Sequence, residues 1–182
     1  MGDADVHHAI RKLVALLDGA QISYAIAGAM ALNHYGYRRA TVDVDVLLTR
    51  EGLAALKRHA LGLGYVEKFP GSRGLRDTEN NVAIDVLIAG DYPGDGQPKA
   101  VAFPDPAVAI RTGGIALLPL PKLVELKLAS GLSAPHRLKD LADVLELVRA
   151  LGLGADFAGQ LDPSVRAKFD ELWQAAQGAD EE

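Results

Sequence analysis

Two aspartates, Asp43 and Asp45, stand one residue apart in the run Arg39-Ala40-Thr41-Val42-Asp43-Val44-Asp45-Val46-Leu47-Leu48. Alternation of acids with β-branched residues predicts a strand, and a strand puts both carboxylates on one face, their Cα atoms roughly 6.5–7 Å apart. Val42, Val44 and Val46 are then expected on the opposite, buried face. Two like charges at ~5 Å repel by about 3 kcal/mol at an effective dielectric of ~20, a cost that a divalent cation between them removes. Hard oxygen donors without a nearby His or Cys favour magnesium, with manganese as the alternative, over zinc. A third acid, Asp85, lies in Ala83-Ile84-Asp85-Val86-Leu87, another strand pattern, where an acid is costly to bury unless something pairs with it. If the two strands are neighbours, three carboxylates converge. Three acids can hold two metal ions, one gripping a triphosphate and one lowering the pKa of an attacking hydroxyl.

Upstream, Gly28-Ala29 reads as a strand-to-helix turn, where small residues let backbone N–H groups approach a phosphate. Arg39, between that turn and the acids, complements phosphate charge. Each feature alone has an ordinary reading: an exposed acid pair, an edge-strand acid, a turn glycine, a surface ion-pair partner. Their order along the chain is what points to phosphate chemistry. The five histidines, His7, His8, His34, His59 and His136, show no metal-ligand spacing, and the absence of cysteine excludes thiolate zinc sites and thiol nucleophiles.

The elements that must position these residues follow from periodicity. Val6, Ile10, Leu13, Val14 and Leu17 mark a helix over 5–18, ended by Gly19, and a buried strand is expected over 22–27. A short helix over 30–35 precedes the acid-bearing strand. An amphipathic helix over 51–61 leads to a strand over 65–69, a loop or hairpin tip at Gly71-Ser72-Arg73-Gly74 and a strand over 82–88. Residues 90–99, with three glycines and two prolines, read as a loop with freedom to move. Strands near 108–111 and 115–118 flank a Thr112-Gly113-Gly114 turn. From Pro121 the period becomes 3.6: one helix begins there, a second spans 135–151 with Leu138, Leu141, Ala142, Leu145 and Val148 on its apolar face, and a third spans 163–177. A mixed α/β front half feeding a helical back half is an α+β arrangement.

Composition sets the frame. The 182 residues are 49% apolar and 24% charged, the balance of a globular chain able to bury a core without disulfide staples. Its net charge of −5 argues against gripping duplex DNA by bulk electrostatics, though not against a local basic groove, for which Arg73, Arg76, Lys122, Lys127, Arg137 and Lys139 are candidates. No apolar run approaches a membrane span, and the N-terminus lacks the order of a secretory signal; a cytoplasmic protein is expected.

Taken together, these residues resemble the polymerase-β-like nucleotidyltransferase superfamily, in which a strand, a Gly-Gly or Gly-Ser turn and a short helix precede acid-x-acid, with a third acid on a later strand. Ala27-Gly28-Ala29-Met30-Ala31-Leu32, followed by Gly36, Arg39, Thr41 and Asp43, is similar to the small prokaryotic branch that includes the nucleotidyltransferase components of abortive-infection-type toxin–antitoxin pairs. The helical segments 123–129 and 137–143 are similar to motifs of the same branch. The resemblance covers about residues 20–150. Its one departure is Ala29 in place of glycine or serine, which removes a hydroxyl contact but leaves the backbone donors. It implies a small mixed-sheet nucleotidyltransferase core over 1–119, a helical region over 120–178 and a frayed acidic tail over 179–182. It also implies Asp43, Asp45 and Asp85 as metal-binding catalytic acids. Gly28, Ala29, Arg39, Thr41, Lys127 and Lys139 would be nucleotide contacts, although Lys127 also fits a surface lysine and Lys139 an ordinary helix pair with Asp143. The implied reaction is transfer of a nucleoside monophosphate from an NTP, ATP included, to a hydroxyl of RNA, tRNA, protein or a small molecule. A cognate antitoxin is the further implied partner. A non-catalytic nucleotide- or partner-binding module and a metal-dependent phosphohydrolase are the rival readings.

Overall fold

The structure, a computed structural model, describes residues 3–178; the tail expected over 179–182 lies outside them. The chain divides into two compact units, the first comprising Met1–Asn33, Arg38–Ala89 and Pro104–Leu118, the second His34–Tyr37, Gly90–Phe103 and Pro119–Glu182.

The first unit is built on seven strands: β1 (Ala25–Ile26), β2 (Asp43–Leu48), β3 (Tyr65–Glu67), β4 (Leu75–Asp77), β5 (Val82–Ile88), β6 (Ile110–Thr112) and β7 (Ile115–Leu117). They form one mixed sheet in the order β3-β4-β5-β2-β1-β7-β6. At its centre β2 runs parallel to β5 over six residue pairs, from Asp43 opposite Ala83 to Leu48 opposite Ile88. β1 is antiparallel to β2 on the other side. Helices α1 (Asp3–Gly19) and α3 (Arg50–Ala60) pack on β2. α1 buries Val6, Ala9, Ile10, Leu13, Val14 and Leu17, the three-and-four spacing of one helical face. Thr49 caps α3 by accepting a hydrogen bond from the Gly52 N–H at 2.9 Å, Glu51 occupies the first turn and Lys57, Arg58 and His59 the last, all favourable to the helix dipole. The β6–β7 turn is Gly113-Gly114, both at positive φ, the two-residue connection that matches strand twist.

The strand expected over 22–27 shrinks to Ala25–Ile26, and the acid-bearing strand starts only at Asp43. Val42 therefore precedes the sheet and is 60% exposed rather than buried. β4 has no counterpart in the periodicity, because the residue that it buries beside Leu75 is an acid. Asp77 is fully buried, and Lys12 of α1 donates to its Oδ1 at 2.6 Å while Asn80 Nδ2 donates to its Oδ2 at 2.6 Å. Lys12 also reaches Glu79 at 3.0 Å and lies 4.8 Å from the centre of the Tyr65 ring.

The second unit is helical: α4 (Leu120–Ser133), α5 (Leu138–Leu151) and α6 (Pro163–Gly178) pack against one another. Gly131 lets α4 approach α5 closely, since a Cβ there would stand 2.5 Å from the Leu141 side chain. The helix expected from 135 opens as a single 3-10 turn, Pro135–Arg137, and becomes α-helical at Leu138. Its buried face is also rotated from expectation: Asp143, Val144, Leu147 and Val148 are buried, whereas Leu138 is 65% exposed. The cause is Lys127 of α4, whose Nζ donates to Asp143 Oδ2 at 2.7 Å. The 90–99 loop is tied down by Lys99, which bonds Asp95 at 2.6 Å and the Pro93 carbonyl at 2.8 Å, and by Asp95 N–H donating to Ser133 Oγ at 3.2 Å. No helix among the described residues is long and apolar enough to cross a membrane.

Asp77 carries a prediction. Burial pushes its carboxyl up, but hydrogen bonds from Asn80, Lys12 and the Glu79 N–H outweigh that and hold it below the ordinary carboxylate value. A depressed folded-state pKa means that its stabilisation is present above pH ~4 and is lost as pH falls through the folded value. Asp77→Asn should cost about 2–3 kcal/mol in urea denaturation at neutral pH, less than a fully buried pair because Lys12 is a quarter exposed, and should flatten the acid-side loss of stability. A change below ~0.5 kcal/mol would refute the assignment.

Candidate active site

The parallel register of β2 and β5 sets Asp45 directly opposite Asp85, at the ~4.8 Å spacing of neighbouring strands. Asp43, two residues earlier on β2, shares their face. Behind them Val44, Val46 and Ile84 are fully buried, whereas all three aspartates are half-buried. The sheet thus brings together the three acids singled out in the sequence.

Each carboxylate has its own surroundings. Thr41 Oγ1 donates to Asp43 Oδ1 at 2.7 Å, fixing the side chain from two residues upstream. Asp45 lies against the Gly28 backbone: a Cβ at Gly28 would stand 1.9 Å from Asp45 Oδ2, and Gly28 has φ +59°. Ala27 N–H donates to the Asp45 carbonyl at 2.9 Å, extending the β1–β2 ladder so that the Gly28-Ala29 turn, which opens α2 (Gly28–His34), falls beside the acids. Asp85 Oδ1 accepts from Lys68 Nζ at 2.6 Å. Nothing in the local sequence marks Lys68; the β3–β4 hairpin folding back beside β5 places it there. Arg39 is fixed through its backbone, its N–H donating to Asn33 Oδ1 at 2.6 Å and its carbonyl accepting from Asn33 Nδ2 at 2.9 Å.

The remaining expected contacts belong to the helical unit. Lys127 is engaged with Asp143 at 2.7 Å and Asp140 at 3.5 Å, and Ser130 Oγ donates to Asp140 at 2.6 Å. Lys139 is exposed on α5. Of the residues considered for a basic groove, Arg76 bonds Asn81, Lys122 pairs with Glu125, and Arg137 bonds the Gly94 carbonyl, so these are engaged by near neighbours.

The donor set suits a hard divalent cation: three carboxylates, two in register on adjacent strands, with a cationic group already in contact with one of them. Among the described residues no three acids or histidines are already gathered into a metal-holding group; Asp43 is bonded to Thr41 and Asp85 to Lys68.

No model of a known protein family matches the sequence, and no curated protein matches it. Solved structures do. The crystal structure of ANT(2")-Ia in complex with adenylyl-2"-tobramycin is similar at a TM-score of 0.56, covering 95% of this chain and 97% of that one at 15% identity. The solution structure of the antibiotic-resistance factor ANT(2'')-Ia gives 0.53 over 94% of each chain at 16% identity. A Helicobacter pylori protein described as a nucleotidyltransferase gives 0.52 over 98% of this chain and 97% of its own at 14% identity. The chain therefore has the nucleotidyltransferase fold, a mixed sheet with flanking helices followed by C-terminal helices.

Gly28 tests how tightly the turn is fitted to Asp45. Gly28→Ala should both strain a left-handed backbone position and push the Asp45 carboxylate aside, lowering stability by about 1–3 kcal/mol in denaturant titration. An alanine variant as stable as the parent would show that the close approach is not maintained in solution.

Proposed function

We propose that this chain transfers a nucleoside monophosphate from an NTP to a hydroxyl acceptor: the acceptor oxygen bonds to the α-phosphorus, the α–β bridging bond breaks, and pyrophosphate leaves. The observation that carries this is the register of Asp45 against Asp85, with Asp43 on the same face. Magnesium held by Asp43, Asp45 and Asp85 would supply positive charge against the triphosphate and acidify the acceptor hydroxyl. Asp85 is the acid that favours loss of the hydroxyl proton, and Thr41 keeps Asp43 turned in a fixed direction. The Gly28-Ala29 turn lets phosphate approach the backbone beside Asp45, and Arg39 balances phosphate charge. Positioning and charge neutralisation carry most of the rate in such reactions.

ATP as donor and a small polyhydroxylated acceptor are supported by the likeness to ANT(2")-Ia with its adenylylated tobramycin; RNA, tRNA and protein hydroxyls remain in the acceptor set. The toxin–antitoxin assignment, with a cognate antitoxin as partner, and action in the cytoplasm rest on the sequence resemblance. Lys127 and Lys139 are the nucleotide contacts to be tested on the helical unit. A second reading, a nucleotide-binding module without turnover, is favoured by one observation: Asp85 is engaged by Lys68 at 2.6 Å.

Calorimetric titration of each NTP with magnesium, followed by an acceptor screen with α-labelled nucleotide, separates these readings. Binding that is abolished in the Asp43→Asn/Asp45→Asn double variant is expected, with pyrophosphate as the leaving product and a loss of roughly 10²–10⁴ in turnover for Asp85→Asn. Binding without pyrophosphate release across every acceptor supports the binding module. Release of inorganic phosphate identifies a hydrolase, and full activity of the Asp43 and Asp85 variants refutes the site.

A further inference from the structure

Lys68 is held in place by more than its own ion pair. It follows β3 where the hairpin loop begins, and its N–H donates to the Gly74 carbonyl at 3.1 Å. The neighbouring Glu67 pins the hairpin tip: one carboxylate oxygen accepts from Lys57 Nζ at 2.6 Å, the other from the Gly71 N–H at 2.8 Å. Lys57 also donates to the Ser72 carbonyl at 2.6 Å, and Ser72 Oγ accepts from the Gly74 N–H at 3.1 Å. Gly74 is the second observation. It is buried, and its backbone is not in the left-handed region, so conformation does not demand a glycine. Space does: a Cβ there would stand 2.7 Å from Lys68 Cδ, 3.1 Å from the Ile84 carbonyl oxygen and 3.4 Å from Asp85 Oδ1. The missing side chain leaves room both for the β5 backbone and for the lysine stem that reaches the third acid.

A pair this exposed, 32% for Lys68 and 40% for Asp85, adds little to stability. A pinned hairpin and a vacant Cβ position are more structure than such a contribution explains. Asp45 stands opposite Asp85 on β2, and Lys68 from the hairpin is a cation in direct contact with that third acid. We infer that Lys68 is the resident counter-cation of Asp85, which a divalent cation must displace in order to use that carboxylate. Lys68 thereby weakens metal binding by the bare protein and makes it a positioning residue for the third acid. This rests on the nucleotidyltransferase reading of the acids.

Manganese binding to the full chain, followed by electron paramagnetic resonance of the free ion without nucleotide, tests it. Lys68→Met should tighten binding by about two- to fivefold. Gly74→Ala, which crowds the lysine stem and the Ile84 carbonyl without changing charge, should shift affinity in the same direction in a protein whose stability matches the parent. The gain from Lys68→Met should vanish in an Asp85→Asn background. Unchanged or weaker manganese binding in a folded Lys68→Met protein overturns the inference while leaving the acids' role standing, as does a gain that persists without Asp85. If the parent binds manganese no better than the Asp43→Asn/Asp45→Asn variant, the metal reading fails and takes this inference with it.

Discussion

Three carboxylates on one face of a small sheet repel one another, and the fold holds them there through the face behind them. Asp45 and Asp85 are neighbours across parallel strands, and their repulsion is of order 3 kcal/mol at ~5 Å and an effective dielectric of ~20. Against that stand Val44, Val46 and Ile84, all fully buried, each stabilising the fold by about 1.5–3 kcal/mol. A one-residue slip of β2 would relieve the repulsion only by turning the valines outward and the acids into the core. The apolar face wins, the register is fixed, and the charge is left to be balanced from the open side.

The topology supplies that balance from two directions. β2 and β5 are parallel, so the chain must cross over between them, and the crossover carries α3 and the β3–β4 hairpin. The hairpin returns antiparallel to β5 and delivers Lys68 to Asp85. On the other side β1 is antiparallel to β2, and the chain leaves β1 through Gly28, whose missing Cβ is the space that Asp45 occupies. Two glycines, Gly28 and Gly74, therefore do the same thing in different ways. Each opens room beside an acid, the first for the carboxylate and the second for the lysine that meets one.

Much of this arrangement was legible in the sequence because it is written in alternation. Val82–Ile88 was placed to the residue, and the acids of β2 and β5 stand out where apolar residues surround them. The bulk of α1, α3, α4 and α6 followed from helical spacing. What was hidden was hidden by charge. β4 buries Asp77, so its alternation is invisible until Lys12, 65 residues away, is seen to neutralise it. The face of α5 departs from its apolar spacing for the same reason: Asp143 turns inward, where Lys127 on α4 meets it. Lys68 could not be found at all, since nothing local distinguishes it from any lysine at a strand end. Long-range ion pairs leave no periodic trace.

The lysine–carboxylate pairs themselves differ in a way that separates architecture from chemistry. Lys12 meets a fully buried Asp77 that Asn80 and a backbone N–H also serve; removing the lysine would leave an anion in the core with nowhere to turn. Lys127 and Asp143 are 19% and 11% exposed, with Asp140 and Ser130 completing a closed group between two helices. Both are pairs largely withdrawn from solvent and held by further hydrogen bonds or ion pairs. The Lys68–Asp85 pair is open to solvent on both sides and sits beside two further acids, so either partner can leave without exposing an unpaired charge to the core. Burial makes the first two costly to break; its absence makes the third exchangeable. An exchangeable cation on an acid whose register is locked from behind is what a site needs if its charge must be carried by the protein at one moment and by a bound ion at another.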